Sequence, residues 1–237
     1  MKQIILTGGS GGIGRAIAIQ LSRAGYAILN LDVQEPEQLV ANEKYIAIDF
    51  ASQAETEKIA ATISLAHNLY GIIHCAGFGG PYQKTTEVSL QTYNRIMNTN
   101  LFSAFFLLQK YIPLMAENKF GRVIFISSIL GKRGSANSSV YSASKHALNG
   151  LMKSVADEWG PHGITANSIS PGFVATKMGI QEDQVDGHMQ KVIQNTPVRR
   201  IAAPEEIASI VMFLLSEHSG YINGADWVAD GGITNKY

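Results

Sequence analysis

The sequence predicts an α/β fold: a doubly wound, parallel, seven-stranded sheet with helices on both faces, built by residues 1–237 as one domain. Three observations carry the prediction. Short apolar runs alternate with segments of helical periodicity along the whole chain. The first run enters a glycine-rich turn that opens a helix. Acids and small residues fall just past the ends of the runs, where a parallel sheet with right-handed crossovers collects its ligand groups. No internal repeat, low-complexity stretch or linker divides the chain, and 237 residues can bury a sizeable core.

The elements follow in order. Gln3 to Thr7 reads as a short buried strand running into Thr7-Gly8-Gly9-Ser10-Gly11-Gly12-Ile13-Gly14, and a helical pattern follows from Arg15 to Arg23. Strand, glycine turn and helix is the context a phosphate loop requires. Glycines let the backbone approach a pyrophosphate, and the unpaired N–H groups at the helix start attract its charge. Gly8, Ser10, Gly11, Gly12, Ile13 and Gly14 are therefore the expected cofactor loop. Gly25 ends the helix, and Tyr26 to Leu31 is a second strand closing on Asp32. An acid here, 18 residues after Gly14, is placed to accept hydrogen bonds from an adenine ribose and to repel a 2′-phosphate. Ser10, Gly11 and Val33 offer no Arg or Lys, so NAD(H) is favoured over NADP(H).

Tyr45 to Ile48 is a third strand. Asp49 beyond it either borders the adenine, with Phe50 beside it, or caps the region ahead of a helical run from Gln53 to Ala66. Gly71 to Cys75 is a fourth strand, delivering Ala76 and Gly77 to the ligand edge. A long helical segment from Leu90 to Met115 carries Asn98, Asn100 and an apolar stretch from Leu101 to Leu108, which must be buried on more than one side. Arg122 to Ile126 is the fifth strand, followed by Ser127 and Ser128. Thr165 to Ser170 is the sixth, and Pro171-Gly172-Phe173-Val174-Ala175-Thr176 turns away from its end. Residues 177–200 are expected to form a mobile lid over a substrate site. Pro204-Glu205-Glu206 opens a helix through Ser216, with Pro in its first turn. Asp226 to Asp230 is the last strand, and Gly231-Gly232 follows.

Between the fifth and sixth strands lies Tyr141-Ser-Ala-Ser-Lys145, a phenol and an ammonium four residues apart in a helical pattern that continues through Leu148, Leu151, Met152, Val155 and Trp159. At that spacing both side chains rise from one face. A nearby ammonium favours the phenolate, which makes Tyr141 a candidate acid/base.

Composition removes several function classes. Hydrophobic residues make up 46% and charged residues 16%, with a formal net charge of zero. No charge excess invites nucleic acid or an anionic membrane surface, and no apolar run is long enough to span a bilayer. The single cysteine, Cys75, leaves no internal disulfide, and a reducing, cytoplasmic setting is expected. The apolar start is interrupted by glycines from Gly8, so no signal segment is expected. One cysteine and six scattered histidines give no zinc-ligand spacing, so no metal is expected.

Taken together, these residues resemble the short-chain dehydrogenase/reductase family over essentially the whole chain. The pattern Thr-Gly-three residues-Gly-x-Gly stands at Thr7, Gly8, Gly12, Ile13 and Gly14, and the active-site tetrad at Asn100, Ser128, Tyr141 and Lys145. Pro171-Gly172 with Thr176, Pro204-Glu205-Glu206-Ile207-Ala208 and Asp230-Gly231-Gly232 match the later signatures. The resemblance implies a Rossmann fold and hydride exchange between NAD(P)(H) and a secondary alcohol or ketone. It implies that Tyr141 transfers the proton, that Ser128 hydrogen-bonds the reacting oxygen, and that Lys145 binds the nicotinamide ribose. Asn100 would hold a water linking Lys145 to solvent, while Pro171, Gly172, Val174 and Thr176 fix the carboxamide. Family members often assemble as homotetramers or dimers through the helices equivalent to 90–115 and 139–160, and the same is expected here. One departure stands out: the family commonly has Asn-Asn-Ala-Gly where this chain has His74-Cys75-Ala76-Gly77, and His74 is expected to be a structural substitute beside a buried, inert Cys75.

Among subfamilies the chain resembles the 3-oxoacyl carrier-protein reductases in length and in its Gly121-Arg122-Val123 and Pro204-Glu205 stretches. Gly11 and Asp32 depart from the NADPH preference usual there. The short segment from Asp32 to Asp49 resembles NAD-dependent dehydrogenases of cyclic dihydrodiols, the alternative substrate class. A non-catalytic NAD(H) sensor or scaffold is the alternative from another class, and it sits poorly with a complete tetrad.

Overall fold

The computed structural model describes residues 1–63, 68–177 and 188–235. Among them seven parallel strands form one sheet: β1 (Gln3–Thr7), β2 (Ala27–Asp32), β3 (Glu43–Ala47), β4 (Leu69–His74), β5 (Gly121–Ile126), β6 (Ile164–Pro171) and β7 (Asp226–Ala229). Their spatial order is β3-β2-β1-β4-β5-β6-β7. The order reverses between β1 and β4, and the crevice at such a switch point is where a doubly wound sheet binds ligands. Expected strand ends fall within two residues of the observed ones. β2 takes in Asp32 and begins at Ala27 instead of Tyr26, because strand extent follows pairing with the neighbour and β2 pairs from Ala27 onward.

Alternate residues of each strand feed two cores, as the pleat requires. Ile5, Leu29, Leu31, Ile72, Val123 and Phe125 pack toward α2 (Gln53–Thr62), α4 (Ser103–Glu117) and α5 (Ser139–Trp159). Ile4, Leu6, Ile28, Ile73 and Ile124 pack on the other face, against α1 (Gly12–Arg23) and α7 (Pro204–Leu215). Both faces of β4 and β5 are buried along their whole length, which is why those runs are continuously apolar apart from Arg122 and His74.

Two elements differ from the sequence expectation, and a third is described only in part. The helix expected over Leu90–Met115 is α3 (Leu90–Met97) and α4 joined by a π-turn at Asn98–Phe102, where the N–H of Ser103 bonds the carbonyl of Asn98. The helical pattern expected to Ala66 is seen only to Thr62, and 64–67 lie outside the described residues. Of the expected lid, 178–187 lie outside the described residues, and His188–Asn195 form a helix, α6. Between β2 and β3 the segment 33–42 crosses from one strand to its parallel neighbour without a helix. No helix among the described residues is long and apolar enough to cross a membrane.

Leu107 is fully buried between α4 and the sheet. Leu107→Ala is expected to cost about 2–5 kcal/mol through lost burial and the cavity left behind. Urea unfolding monitored by circular dichroism checks this, with the midpoint falling and the slope unchanged.

Candidate active site

The glycine loop leaves β1 through positive φ at Gly8 (69°) and Gly12 (48°). A Cβ on Gly8 would lie 2.8 Å from the backbone nitrogen of Ala76, and one on Gly14 would lie 1.8 Å from the carbonyl oxygen of Gly8. The loop is therefore pressed against the end of β4 and folded onto its own helix. Its first amides are spent on β2: Gly8 donates to the Leu31 carbonyl (2.9 Å), Gly9 to Asn30 Oδ1 (3.1 Å) and Ser10 to Asp32 Oδ2 (2.9 Å). The N–H groups of Gly12, Ile13 and Gly14 open α1 and have no intrahelical acceptor. A Cβ on Gly11 would meet open space, so the mouth of the loop is clear. Free helix-start amides beside an open glycine fit a pyrophosphate.

Asp32 ends β2 beside this loop. One carboxylate oxygen accepts from Ser10 N–H and the other from Gln34 N–H (3.1 Å), which fixes its plane and leaves a lone pair on each oxygen for further donors. Asp49 is turned into its own loop: Oδ1 accepts from Ala51 N–H (2.9 Å), and its N–H donates to Glu55 Oε2 (2.9 Å). That is the capping alternative for its side chain. Phe50 is buried and belongs to the core cluster that includes Leu29, Leu31 and Ile48.

The tetrad residues come from three elements. Lys145 is buried on α5, its Nζ donating to the Ile126 carbonyl at the end of β5 (2.8 Å) and lying 5.6 Å from the Tyr141 ring centroid. Burial pulls its ammonium down to about 8. Asn100 sits on the π-turn with no exposed surface. Its Oδ1 accepts from Phe78 N–H (2.7 Å), and its Nδ2 donates to the Phe78 carbonyl (3.2 Å) and to Ser144 Oγ (3.0 Å). Ser144 Oγ in turn donates to the Tyr141 carbonyl (2.7 Å). The Asn100 amide thus joins the exit of β4 to the turn of α5 carrying Tyr141 and Lys145. Ser128 follows β5, where its Oγ accepts from Leu130 N–H (3.1 Å) and keeps its own proton to donate. A Cβ on Gly77 would lie 3.5 Å from Lys145 Nζ and 3.8 Å from Asn100 Oδ1, which places the exit of β4 against both.

The remaining wall is the turn after β6. Gly172 packs on Asp230, and a Cβ there would lie 2.9 Å from the Asp230 Cα. Val174 is buried and bridges Ala202. The Thr176 side chain lies against Gly12, where a Cβ would come within 2.9 Å of Thr176 Cγ2. Of this turn Thr176 reaches the glycine loop, while Pro171 pairs with Ala229, Gly172 packs on Asp230 and Val174 bridges Ala202.

His74 is buried, its ring nitrogen Nε2 2.8 Å from Ser103 Oγ. Ser103 Oγ donates its proton to the Thr99 carbonyl (2.7 Å), so Nε2 carries a hydrogen and donates to Ser103. Burial, with the Lys145 charge adding to it, drives His74 down to about 3 and keeps it neutral. It braces the π-turn and does not titrate near neutrality. Cys75 is half-buried and packs against the core that holds Ile4 and Leu6. Its thiol is pushed up to about 12 by desolvation and is a poor nucleophile. The backbone N–H groups of Cys75 and Ala76 both donate to Thr7 Oγ1 (3.1 and 3.0 Å), locking β1 to the exit of β4. Sequence reasoning passed over Thr7 as a ligand of that backbone, and over Ser144, Arg15, Asn30 and Glu43. Ser144 was legible in principle, lying one residue before Lys145; the others meet only in the fold. Among the described residues no group of three or more His, Cys, Asp or Glu could hold a metal ion.

Comparison with known proteins agrees with this fold. Residues 8–234 match the family described as enoyl-(acyl carrier protein) reductase. The chain is 30% identical over 245 residues to a cyclohexanol dehydrogenase of Acinetobacter sp. (strain SE19), covering 99% of this chain and 96% of that one. It is 32% identical over 243 residues to an acetoacetyl-CoA reductase of Cupriavidus necator, covering 96% of each. Among solved structures, 4-hydroxyisoleucine dehydrogenase complexed with NADH superposes with a TM-score of 0.92 at 26% identity, covering all of both chains. An NADPH-dependent reductase involved in bacilysin biosynthesis superposes at 0.89 with 25% identity, covering 100% of this chain and 99% of that one.

The buried ammonium has a consequence for stability. Lys145 titrates at about 8 in the folded chain against an ordinary value of 10.5. Between those values the unfolded chain binds more protons, so this group makes stability rise with pH across that window. Lys145→Met is expected to flatten the rise, as read from urea midpoints of the cofactor-free protein between about pH 7.5 and 10.

Proposed function

The chain belongs to the short-chain dehydrogenase/reductase family, whose members act between alcohols and carbonyls with a nicotinamide cofactor, and we propose that it interconverts a secondary alcohol and a ketone with NAD(H), using Tyr141 as acid/base. The observation that carries the reading is the buried Lys145 ammonium, held by the Ile126 carbonyl 5.6 Å from the Tyr141 ring on the crevice side of the sheet. A cation held there favours the phenolate and costs little reorganisation, since its position is set before any substrate arrives.

The free amides of Gly12, Ile13 and Gly14 would hold the pyrophosphate, Asp32 the adenine ribose, Lys145 the nicotinamide ribose, and the Pro171–Thr176 turn the carboxamide. When bound, the nicotinamide supplies the hydride chemistry. The chain's own residues manage the proton. In reduction Tyr141 donates its phenolic hydrogen to the substrate oxygen; in oxidation its phenolate takes the alcohol proton. Ser128, with its O–H still to give, donates to the same oxygen and holds the charge that develops there. Lys145 keeps Tyr141 ready in both directions.

Asp32 supports NAD(H) over NADP(H). Both of its oxygens are pinned by backbone N–H groups, so the carboxylate cannot swing away from a 2′-phosphate. Glu35 and Glu37 follow it, and no basic residue occupies Ser10, Gly11 or Val33. For the substrate, the cyclohexanol dehydrogenase and the acetoacetyl-CoA reductase point to cyclic secondary alcohols and 3-hydroxyacyl thioesters as the first classes to screen. Phe105 is about half exposed on α4 beside partly buried Leu101 and Phe106, and this apolar face supports assembly of copies as a dimer or tetramer.

Three outcomes are expected. Fluorescence titration gives NADH a dissociation constant at least about tenfold below that of NADPH, the scale of a like-charge clash with the phosphate; tighter NADPH binding would overturn the role of Asp32. Tyr141→Phe lowers turnover about 10²–10⁴-fold, the usual worth of a positioned acid/base, with NADH affinity retained. Light scattering after size exclusion finds an oligomer, and a stable monomer would refute the assembly.

A further inference from the structure

We propose that Glu43 is a positioning residue of the cofactor loop, acting through Arg15 and Asn30 on the backbone of Gly9 and Ser10; the proposal rests on the reading of that loop as the NAD(H) site.

The observation is a saturated, buried carboxylate where the fold lacks a helix. Glu43 opens β3, and its side chain has no exposed surface. Oε1 accepts from Arg15 Nη1 (2.9 Å) and Asn30 Nδ2 (2.9 Å); Oε2 accepts from Arg15 Nη2 (3.0 Å) and Val40 N–H (2.9 Å). Those donors fill the lone pairs a carboxylate offers. Glu43 therefore has no capacity left for a ligand, and its role is exerted through what it holds.

What it holds is the glycine loop. Asn30, fully buried on β2, receives the Gly9 N–H at Oδ1 (3.1 Å) and gives a second hydrogen bond from Nδ2 to Ser10 Oγ (3.2 Å). Arg15 Nη1 also reaches the Gly9 carbonyl (3.4 Å). Both polar groups of the Gly9 backbone and the Ser10 hydroxyl thus end on one network. The fit is close, since a Cβ on Gly9 would lie 2.5 Å from Asn30 Oδ1. With Gly9 fixed this way, the following amides of α1 face outward.

The network stands where a doubly wound sheet ordinarily lays a crossover helix over its strands. Here 33–42 cross without one, and the connection is tied by Val40 N–H to Glu43 and by Ile28 N–H to the Asn42 carbonyl. Covering β2 and β3 needs only apolar area. Placing a backbone amide to within a fraction of an ångström needs directional bonds, and a buried ion pair supplies them because breaking it leaves an unpaired charge.

The test compares Glu43→Gln with Asn30→Ala. Glutamine keeps the shape but turns an amide donor toward Arg15 or Val40. Alanine spares the Arg15–Glu43 pair and removes the Asn30 link to Gly9 and Ser10, leaving the weaker reach of Arg15 to the Gly9 carbonyl. NADH titration well below each protein's melting temperature should show Kd raised about tenfold in Glu43→Gln, the effect of a loop that spends a tenth of its time in the binding shape. Asn30→Ala should move the same way, and the double variant should bind no more weakly than the weaker single one, because both changes cut one path. Kd within about twofold of wild type in both variants, with only the melting temperature lowered, would overturn the proposal and leave a purely structural pair. So would Kd factors that multiply in the double variant. If Glu43→Gln does not fold, Arg15→Lys, which loses the paired contact with Glu43, is titrated in its place, and a Kd within about twofold of wild type there overturns the proposal. A wild-type protein that binds neither NADH nor NADPH would refute the reading of the loop itself, a result distinct from wild type and variants binding alike.

Discussion

Burying an ammonium at the end of a parallel sheet is the constraint around which this molecule is arranged. Lys145 is almost fully removed from solvent and its charge is destabilised enough to bring its titration to about 8. An ammonium has three hydrogens to place, and the Ile126 carbonyl takes one of them. That carbonyl is available because β5 ends there and the chain turns away at Ser127. The Lys145 side chain reaches it because α5 packs along β6 with Leu148, Met152 and Val155 in the core. Burying it costs free energy, which any further acceptor brought to Nζ would offset.

The two halves of the crevice are held by different chemistry. On the side of Tyr141 and Lys145 the ties are hydrogen bonds of short side chains: Thr7 Oγ1 accepts from the Cys75 and Ala76 amides, and the Asn100 amide bonds the Phe78 backbone and Ser144 Oγ. The π-turn is part of this. One extra residue per turn moves Asn100 out of helical register and under Phe78, and π-turns of this kind recur at functional positions. His74, neutral and buried, supports that turn through Ser103. Asparagine is the residue the family commonly has at this position, and the imidazole here supplies a donor from Nε2.

Much of this was legible in the sequence, and the reasons are local. Strands buried on both faces read as apolar runs, and glycines at the exit of β1 announce a close approach of backbone to something else. A Tyr and a Lys four residues apart share a helix face whatever the fold. The π-turn left no trace because the stretch from Leu101 to Leu108 is apolar on nearly every side, so a one-residue shift in phase changes no pattern. Asp49 and Phe50 could not be resolved in sequence either, since a strand end followed by a polar turn looks the same whether its side chains face ligand or loop. The Glu43 network was illegible for another reason. Its members lie on α1, β2, β3 and the crossover, and no spacing rule connects residues that only the sheet order brings together.

The missing crossover helix shows how a fold can exchange one kind of stabilisation for another. A helix over β2 and β3 would bury apolar area, which is non-directional and tolerant of small shifts. Arg15, Asn30 and Glu43 supply fewer buried carbons but fix angles as well as distances. That exchange suits the position, because β2 carries both Asn30 and Asp32, and each grips the amide of a neighbouring loop residue, Gly9 and Ser10. A sliding contact there would carry the loop with it. A shortened connection is therefore compatible with a well-formed glycine loop only if directional bonds replace the packing, and the buried carboxylate at the start of β3 is the group that provides them.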